Sequence, residues 1–170
     1  DDTANLEEAA EKIRISKTLD LAASCSSDNS VLVFESIYDE FLEKLKREGG
    51  FVVDGEDKKK LQAVLWEDGH LNPKIVAQHA LTITGKAGID LPEGKQFLIV
   101  PETGAGPDYP FSGEKLTVTM ALYKVKDIDE AIELTNRIQE YQGQGHSCGI
   151  YSYNDANIMK LALGTRTSRV

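Results

Sequence analysis

Three short runs of unbroken apolar residues constrain the fold of this chain most: Val31-Leu32-Val33-Phe34, Phe51-Val52-Val53 and Phe97-Leu98-Ile99-Val100. A strand with one face in water alternates apolar and polar residues. An unbroken run must bury both faces, as strands do in parallel sheets covered by helices. The intervening stretches carry the 3.6-residue period that such helices need. Asn5 with Glu8 forms a capping box ahead of the stripe Leu6, Ala9, Ala10, Ile13 and Lys17. Ser36 opens a second stripe (Ile37, Phe41, Leu42, Leu45) that stops at Gly49-Gly50, and a third runs over about 57–67. Asn72-Pro73 reads as cap and first-turn proline of a short helix ending near Val76. Asp127 and Glu130 cap a helix carrying Ile128, Ala131, Leu134 and Ile138, and another spans about 155–163. Strands are expected at Phe97–Val100 (broken by Pro101), at Leu116–Val125, at Ser147–Tyr151 and from Arg166. Pro101–Pro110, rich in glycine and proline, is a loop. The fold class is α/β, a three-layer domain with a mostly parallel sheet flanked by helices.

At 170 residues the chain suits one domain that buries roughly 70% of its unfolded surface. Its net charge of −9 opposes binding to nucleic acid or to an anionic membrane, both of which need a basic patch. Lys58-Lys59-Lys60 reads as a solvated helix face. No apolar stretch approaches the length of a membrane span, and no signal peptide opens the chain. Two distant cysteines do not make a disulfide framework, so a reducing, cytoplasmic setting is expected, inside or outside a bacterial microcompartment. No cluster has metal-ligand spacing, and no metal is expected. Val170 stands inside an apparent strand, so the chain reads as cut from a longer one.

Cys25 lies in Ser24-Cys25-Ser26-Ser27-Asp28-Asn29-Ser30, a small, polar crossing between the first helix and the first apolar run. α/β proteins place chemistry on such crossings, because loops held by rigid elements carry binding and catalytic groups. A thiolate is a strong nucleophile. A free cysteine is also commonly an inert, buried hydrophobe, and both readings are open on composition alone.

The segment Ile15-Ser16-Lys17-Thr18-Leu19-Asp20, followed by Ser24-Cys25-Ser26-Ser27-Asp28, resembles the nucleophile region of the CoA-acylating branch of the aldehyde dehydrogenase superfamily. That branch is usually written Ser-Lys-Thr-Phe-Asp-Asn-Gly, then Cys, then Ser-Glu. Leu19, Leu21, Ala22 and Asp28 depart from it. Gly113-Glu114-Lys115-Leu116, Gly145-His146-Ser147 and Thr167-Ser168-Arg169-Val170 extend the resemblance over nearly the whole chain.

The resemblance implies that residues 1–170 form the nucleophile-bearing catalytic domain. The Gly-rich Rossmann domain that binds the dinucleotide is not in this chain. It implies Cys25 as nucleophile, with its own N–H as an oxyanion donor. His146 is implied as the base that deprotonates a thiol, beside a plain loop-histidine reading. Glu114 is implied as the ligand of the nicotinamide ribose, beside a reading as an exposed charge; Gly113 stands where relatives often carry His. His70 and His79 match no motif, and Cys148, expected inside a strand, is read as structural. NAD or NADP is the implied cofactor and coenzyme A the co-substrate. A short-chain aldehyde, the cofactor domain of the same protein and a homo-oligomer are the implied partners. Leu81–Thr84 alternates like a strand, whereas the resemblance implies a short helix. A non-acylating dehydrogenase or thiol hydrolase releasing free acid, and a non-catalytic assembly module, are the alternative functions.

Overall fold

Phe97, Leu98, Ile99 and Val100 are wholly buried, as an unbroken apolar run requires. In the computed structural model, which describes residues 1–170, they lie in β5 (Phe97–Glu102), inside a four-stranded parallel sheet. The other members are β1 (Ser30–Phe34), β2 (Gly50–Val52) and β6 (Thr119–Val125), in the order β1-β6-β5-β2. Burial of consecutive β5 side chains means that both faces of the sheet are covered. The helices are α1 (Leu6–Thr18), α2 (Tyr38–Arg47), α3 (Gly55–Leu65), α4 (Ala80–Ala87), α5 (Ile128–Tyr141) and α6 (Asp155–Gly164). Trp66–Glu67 and His70–Leu71 (β3 and β4) form an antiparallel hairpin. Gly145–Ser147 and Thr167–Arg169 (β7 and β8) form a separate parallel pair. The mostly parallel α/β architecture is therefore as the sequence implies.

The capping motifs act as read. The Asn5 side chain accepts the Glu8 N–H, and Asp127 accepts those of Asp129 and Glu130. Ala9, Ala10, Ile13 and Lys17 make the buried stripe of α1. Residues 80–87 are helical, with Ile83 and Thr84 buried and Leu81 in water. Gly50 is required by close packing. A Cβ there would lie 2.6 Å from Ile99 Cδ1 and 2.8 Å from the Leu45 carbonyl.

Several expected boundaries shift. β5 continues through Pro101, which faces Leu122, because a proline removes only one ladder donor. The strand expected from Leu116 starts at Thr119: Leu116 has φ +42°, and the Thr117 carbonyl is taken by a lysine side chain. Asn72–Val76 is a turn, not a helix, in which Asn72 Oδ1 accepts the Lys74 N–H. α2 begins at Tyr38 rather than at Ser36. α3 ends at Leu65, and the next residues enter the hairpin. Lys59 and Lys60 are solvated, but Lys58 turns inward to Glu102, 2.9 Å away, and to the Pro101 carbonyl. Beyond Ser147 the expected strand lapses; the Cys148 N–H still donates to the Arg169 carbonyl, and the chain then leaves the ladder.

Candidate active site

The path to Cys25 begins where α1 stops. Asp20, Leu21 and Ala22 take positive φ values of 47°, 54° and 58°, a left-handed turn of three non-glycine residues. Each costs about 1–2 kcal/mol against the right-handed helix. Leu21 packs against the core and Ala22 is buried, so tertiary packing holds the turn. Its effect is to swing the chain away from the α1 axis into the crossing that bears Cys25.

Beyond Cys25 the loop is stitched to its surroundings. Ser27 Oγ donates to the Ser16 carbonyl at 3.0 Å, and the Asp28 N–H donates to Ser16 Oγ at 3.0 Å. The Asn29 Nδ2 donates to the Gly113 carbonyl at 2.8 Å, while its Oδ1 accepts the Lys115 N–H at 3.2 Å. The thiol is exposed. Ser26 and Ser27 turn their N–H groups back onto Ser24, whereas the Cys25 N–H donates to no protein acceptor. That N–H is therefore free to donate to a bound oxyanion.

Two lysines lie under this region. Lys17 Nζ donates to the Thr117 carbonyl at 2.8 Å, and burial pushes its ammonium down to about 7, opposed by the charge of Asp28. Burial raises the Asp28 carboxyl, against the Ser16 hydrogen bond and Lys17. Lys115 Nζ donates to the carbonyls of Phe111 (2.6 Å) and Gly113 (2.9 Å). Burial first, then the charge of Lys17, holds Lys115 well below the ordinary lysine range, against Glu102 and Glu114. The two lysines satisfy carbonyls of the irregular segment 111–117, which no ladder or helix could satisfy.

Glu114 stands exposed between buried Gly113 and Lys115. Its N–H donates to Gln142 Oε1 at 2.8 Å. Gly113 permits this approach, since a Cβ there would lie 2.5 Å from Gln142 Oε1. A side chain at 113 would displace Gln142.

His146 is exposed on β7, its Nδ1 3.0 Å from Ser147 Oγ, and its carbonyl accepts from Ser168 Oγ. Cys148 follows, half-buried, its Sγ 3.6 Å from Thr165 Oγ1 and 3.8 Å from Thr167 Oγ1. Cys25, Glu114, His146 and Cys148 all line one cavity of about 980 Å³. The structure thus brings the three residues singled out by sequence to one site. It also adds Cys148, which lies at the end of β7 rather than inside a strand. His70 borders the cavity from the hairpin, while His79 precedes α4 in solvent. No cluster of His, Cys, Asp and Glu could hold a metal ion.

Ser16, Lys17, Asn29, Lys115 and Gln142 organise the site and were not singled out for it. Lys17 left a physical trace, a lysine on the apolar stripe of α1, while Ser16 and Lys115 stood only inside the resemblance motifs. Asn29 and Gln142 left none, because their partners lie 84 and 28 residues away.

The comparisons fit this geometry. The acylating sulfoacetaldehyde dehydrogenase of Cupriavidus necator is 38% identical over 100% of this chain and 35% of its own length. An acetylating aldehyde dehydrogenase from Geobacillus thermoglucosidasius superposes with a TM-score of 0.96 at 35% identity, over 98% of this chain and 37% of that one. This chain is homologous to a segment of the acylating aldehyde dehydrogenases. It spans about a third of their length. A propionaldehyde dehydrogenase from a fucose-utilisation microcompartment of Clostridium phytofermentans is 26% identical, with a TM-score of 0.89 over 99% of this chain and 38% of that one. Variants of that enzyme with alanine in place of a histidine and of a cysteine share the fold. No protein-family model matches the chain, and no helix is long and apolar enough to cross a membrane.

Proposed function

We propose that this chain is the nucleophile-bearing domain of a CoA-acylating aldehyde dehydrogenase acting on a short aldehyde, with the dinucleotide-binding domain elsewhere in the same protein. The observation that carries the reading is the convergence of Cys25, Glu114 and His146 on one cavity, in a fold matched at 0.96 by an acetylating enzyme. The Cys25 thiolate attacks the aldehyde carbon, and its own N–H receives the oxyanion. A nicotinamide dinucleotide, when bound, would supply the hydride acceptor for the oxidation of this carbon. Glu114 suits the ribose of that group, since an exposed carboxylate accepts from two hydroxyls. The product on Cys25 is a thioester. His146 takes the proton of the CoA thiol, which then displaces the acyl group and returns the cysteine.

The spacing of cysteine and histidine supports Cys25 as the nucleophile. In the propionaldehyde dehydrogenase the substituted histidine follows the substituted cysteine by nearly the interval that separates His146 from Cys25.

The acyl-transfer half of the reaction needs no dinucleotide and can be tested on the 170-residue chain. Incubation with acetyl-CoA transfers one acetyl group to Cys25, read by peptide mass spectrometry, and Cys25→Ser abolishes it. An adduct on Cys148 with none on Cys25 overturns the assignment. The same chain reduces no NAD⁺ with acetaldehyde and CoA; turnover would show that no further domain is needed.

A further inference from the structure

Between them, the thiol and the ribose carboxylate of the proposed site lie on two segments that are irregular and distant in sequence. A single side chain joins them. The Asn29 Nδ2 donates to the carbonyl of Gly113 at 2.8 Å, and its Oδ1 accepts the N–H of Lys115 at 3.2 Å. The amide therefore grips the peptide groups on both sides of Glu114. Asn29 is also the last residue of the Cys25 loop, and its own carbonyl accepts the Ala121 N–H at the start of the β1–β6 pairing. One end of the grip is thus anchored in the central sheet. The segment it holds cannot hold itself: Leu116 has positive φ, and the Phe111, Gly113 and Thr117 carbonyls depend on buried lysine side chains.

We infer that Asn29 is a positioning residue, which fixes the distance between the nucleophile loop and the Glu114 segment. The inference rests on the catalytic reading above for the roles of Cys25 and Glu114, but the grip itself is independent of it. A carboxamide suits the task because it offers a donor and an acceptor side by side. Aspartate at 29 keeps only the acceptor; serine or alanine cannot bridge both groups. The left-handed turn at Asp20–Ala22 holds the other end of the loop, and Ser16 tethers Ser27 and Asp28 beside Asn29. Asn29 is thus the link between the thiol and the cofactor side of the cavity.

The test uses the 170-residue chain and needs neither aldehyde, CoA nor dinucleotide, so its failure is distinct from failure of the catalytic reading. Amide exchange is followed by NMR at Lys115, and at Leu134 of α5 as a reference. Dipolar EPR between nitroxides on Cys25 and on a Glu114→Cys variant, with Cys148→Ser to leave one pair, reads the distance directly. Asn29→Ala raises Lys115 exchange about tenfold, as expected for loss of its hydrogen bond with some loosening around it. It broadens the EPR distance distribution and leaves Leu134 unchanged. Asn29→Asp restores Lys115 exchange to within about threefold of wild type, since the acceptor remains, yet the distribution stays broadened. A purely structural role would speed Leu134 as well and would not separate the two variants. Unchanged Lys115 exchange and an unchanged distribution in Asn29→Ala overturn the inference. Should that variant unfold, an unchanged distribution in Asn29→Asp overturns it.

Discussion

The two walls of the cavity are built differently. On the Cys25 side, residues 16–30 and 111–117 are tied by Ser16, Asn29, Lys17 and Lys115 to each other and to the central sheet. On the His146 side, β7 is exposed at all three residues and pairs only with β8, three residues long. Long-range tethers into a buried sheet open only with the sheet itself. A short exposed ladder opens locally, at far lower free energy. Cys25 therefore sits on the more tightly tethered wall and His146 on the one that opens more readily. Under the proposed catalytic reading, that division fixes the attacking group and leaves the proton acceptor free to adjust.

The largest effect that would break this comparison is in hydrogen exchange. Amides of β6 are expected to exchange at least about 10³-fold more slowly than those of β7 and β8, because only global opening releases them. Equal protection of the two would show that the walls are equally rigid. Next comes thiol chemistry. At pH 7 iodoacetamide labels Cys25 roughly tenfold faster than Cys148, since one thiol is exposed and the other half-buried beside Thr165 and Thr167. Peptide mapping by mass spectrometry decides it, and faster labelling at Cys148 would reverse the assignment.

A third prediction sharpens the account of the rigid wall through pH. Lys17 has its folded value lowered to about 7, below that of the unfolded chain. Below that pH both states hold the proton, and the fold carries the full cost of a buried charge. Between about 7 and about 10 only the unfolded state holds it, so the free energy of unfolding rises with pH by at most ~1.4 kcal/mol per unit. Lys115 acts in the same sense. Asp28, with its carboxyl raised, acts oppositely at acid pH. Denaturant titrations of wild type and Lys17→Met between pH 7 and 10 are expected to show a flatter slope in the variant. An unchanged slope would mean that Lys17 is not the titrating group.

The smallest effect concerns the turn that feeds the rigid wall. Ala22→Gly is neutral or stabilising by up to ~1 kcal/mol, since glycine relieves the left-handed strain while adding freedom to the unfolded chain. Ala9→Gly, in the interior of α1, costs about 1 kcal/mol or more. Thermal melts compare the two, and equal destabilisation would argue that the turn is not strained.

Much of this was written locally in the chain. The unbroken run at Phe97–Val100 and the stripes of α1, α2 and α5 follow from burial periodicity, which needs only neighbouring residues. The caps at Asn5 and Asp127 are legible for the same reason, because donor and acceptor lie within three residues. Cys25 stood out by its polar crossing between a helix and an apolar run, whereas Glu114 and His146 were reached through motif resemblance, since nothing local distinguishes an exposed glutamate on the way to β6 from any other. Where local reading failed, a distant group had intervened. Strand pattern at Leu116–Thr117 lost to Lys17, a hundred residues earlier in sequence. Lys58 left its solvated row for Glu102.

Sequence by itself thus determined the parallel α/β frame, because covering both faces of a strand leaves an apolar signature at adjacent positions. Tertiary structure alone decided that two lysines would be buried to satisfy a stretch of irregular backbone. It alone decided that Leu and Ala would hold a left-handed turn, and that Asn29 would grip both sides of Glu114. Each of these is a case where a polar group or a strained dihedral is stable only through a partner far along the chain, and such partners leave no periodicity to read.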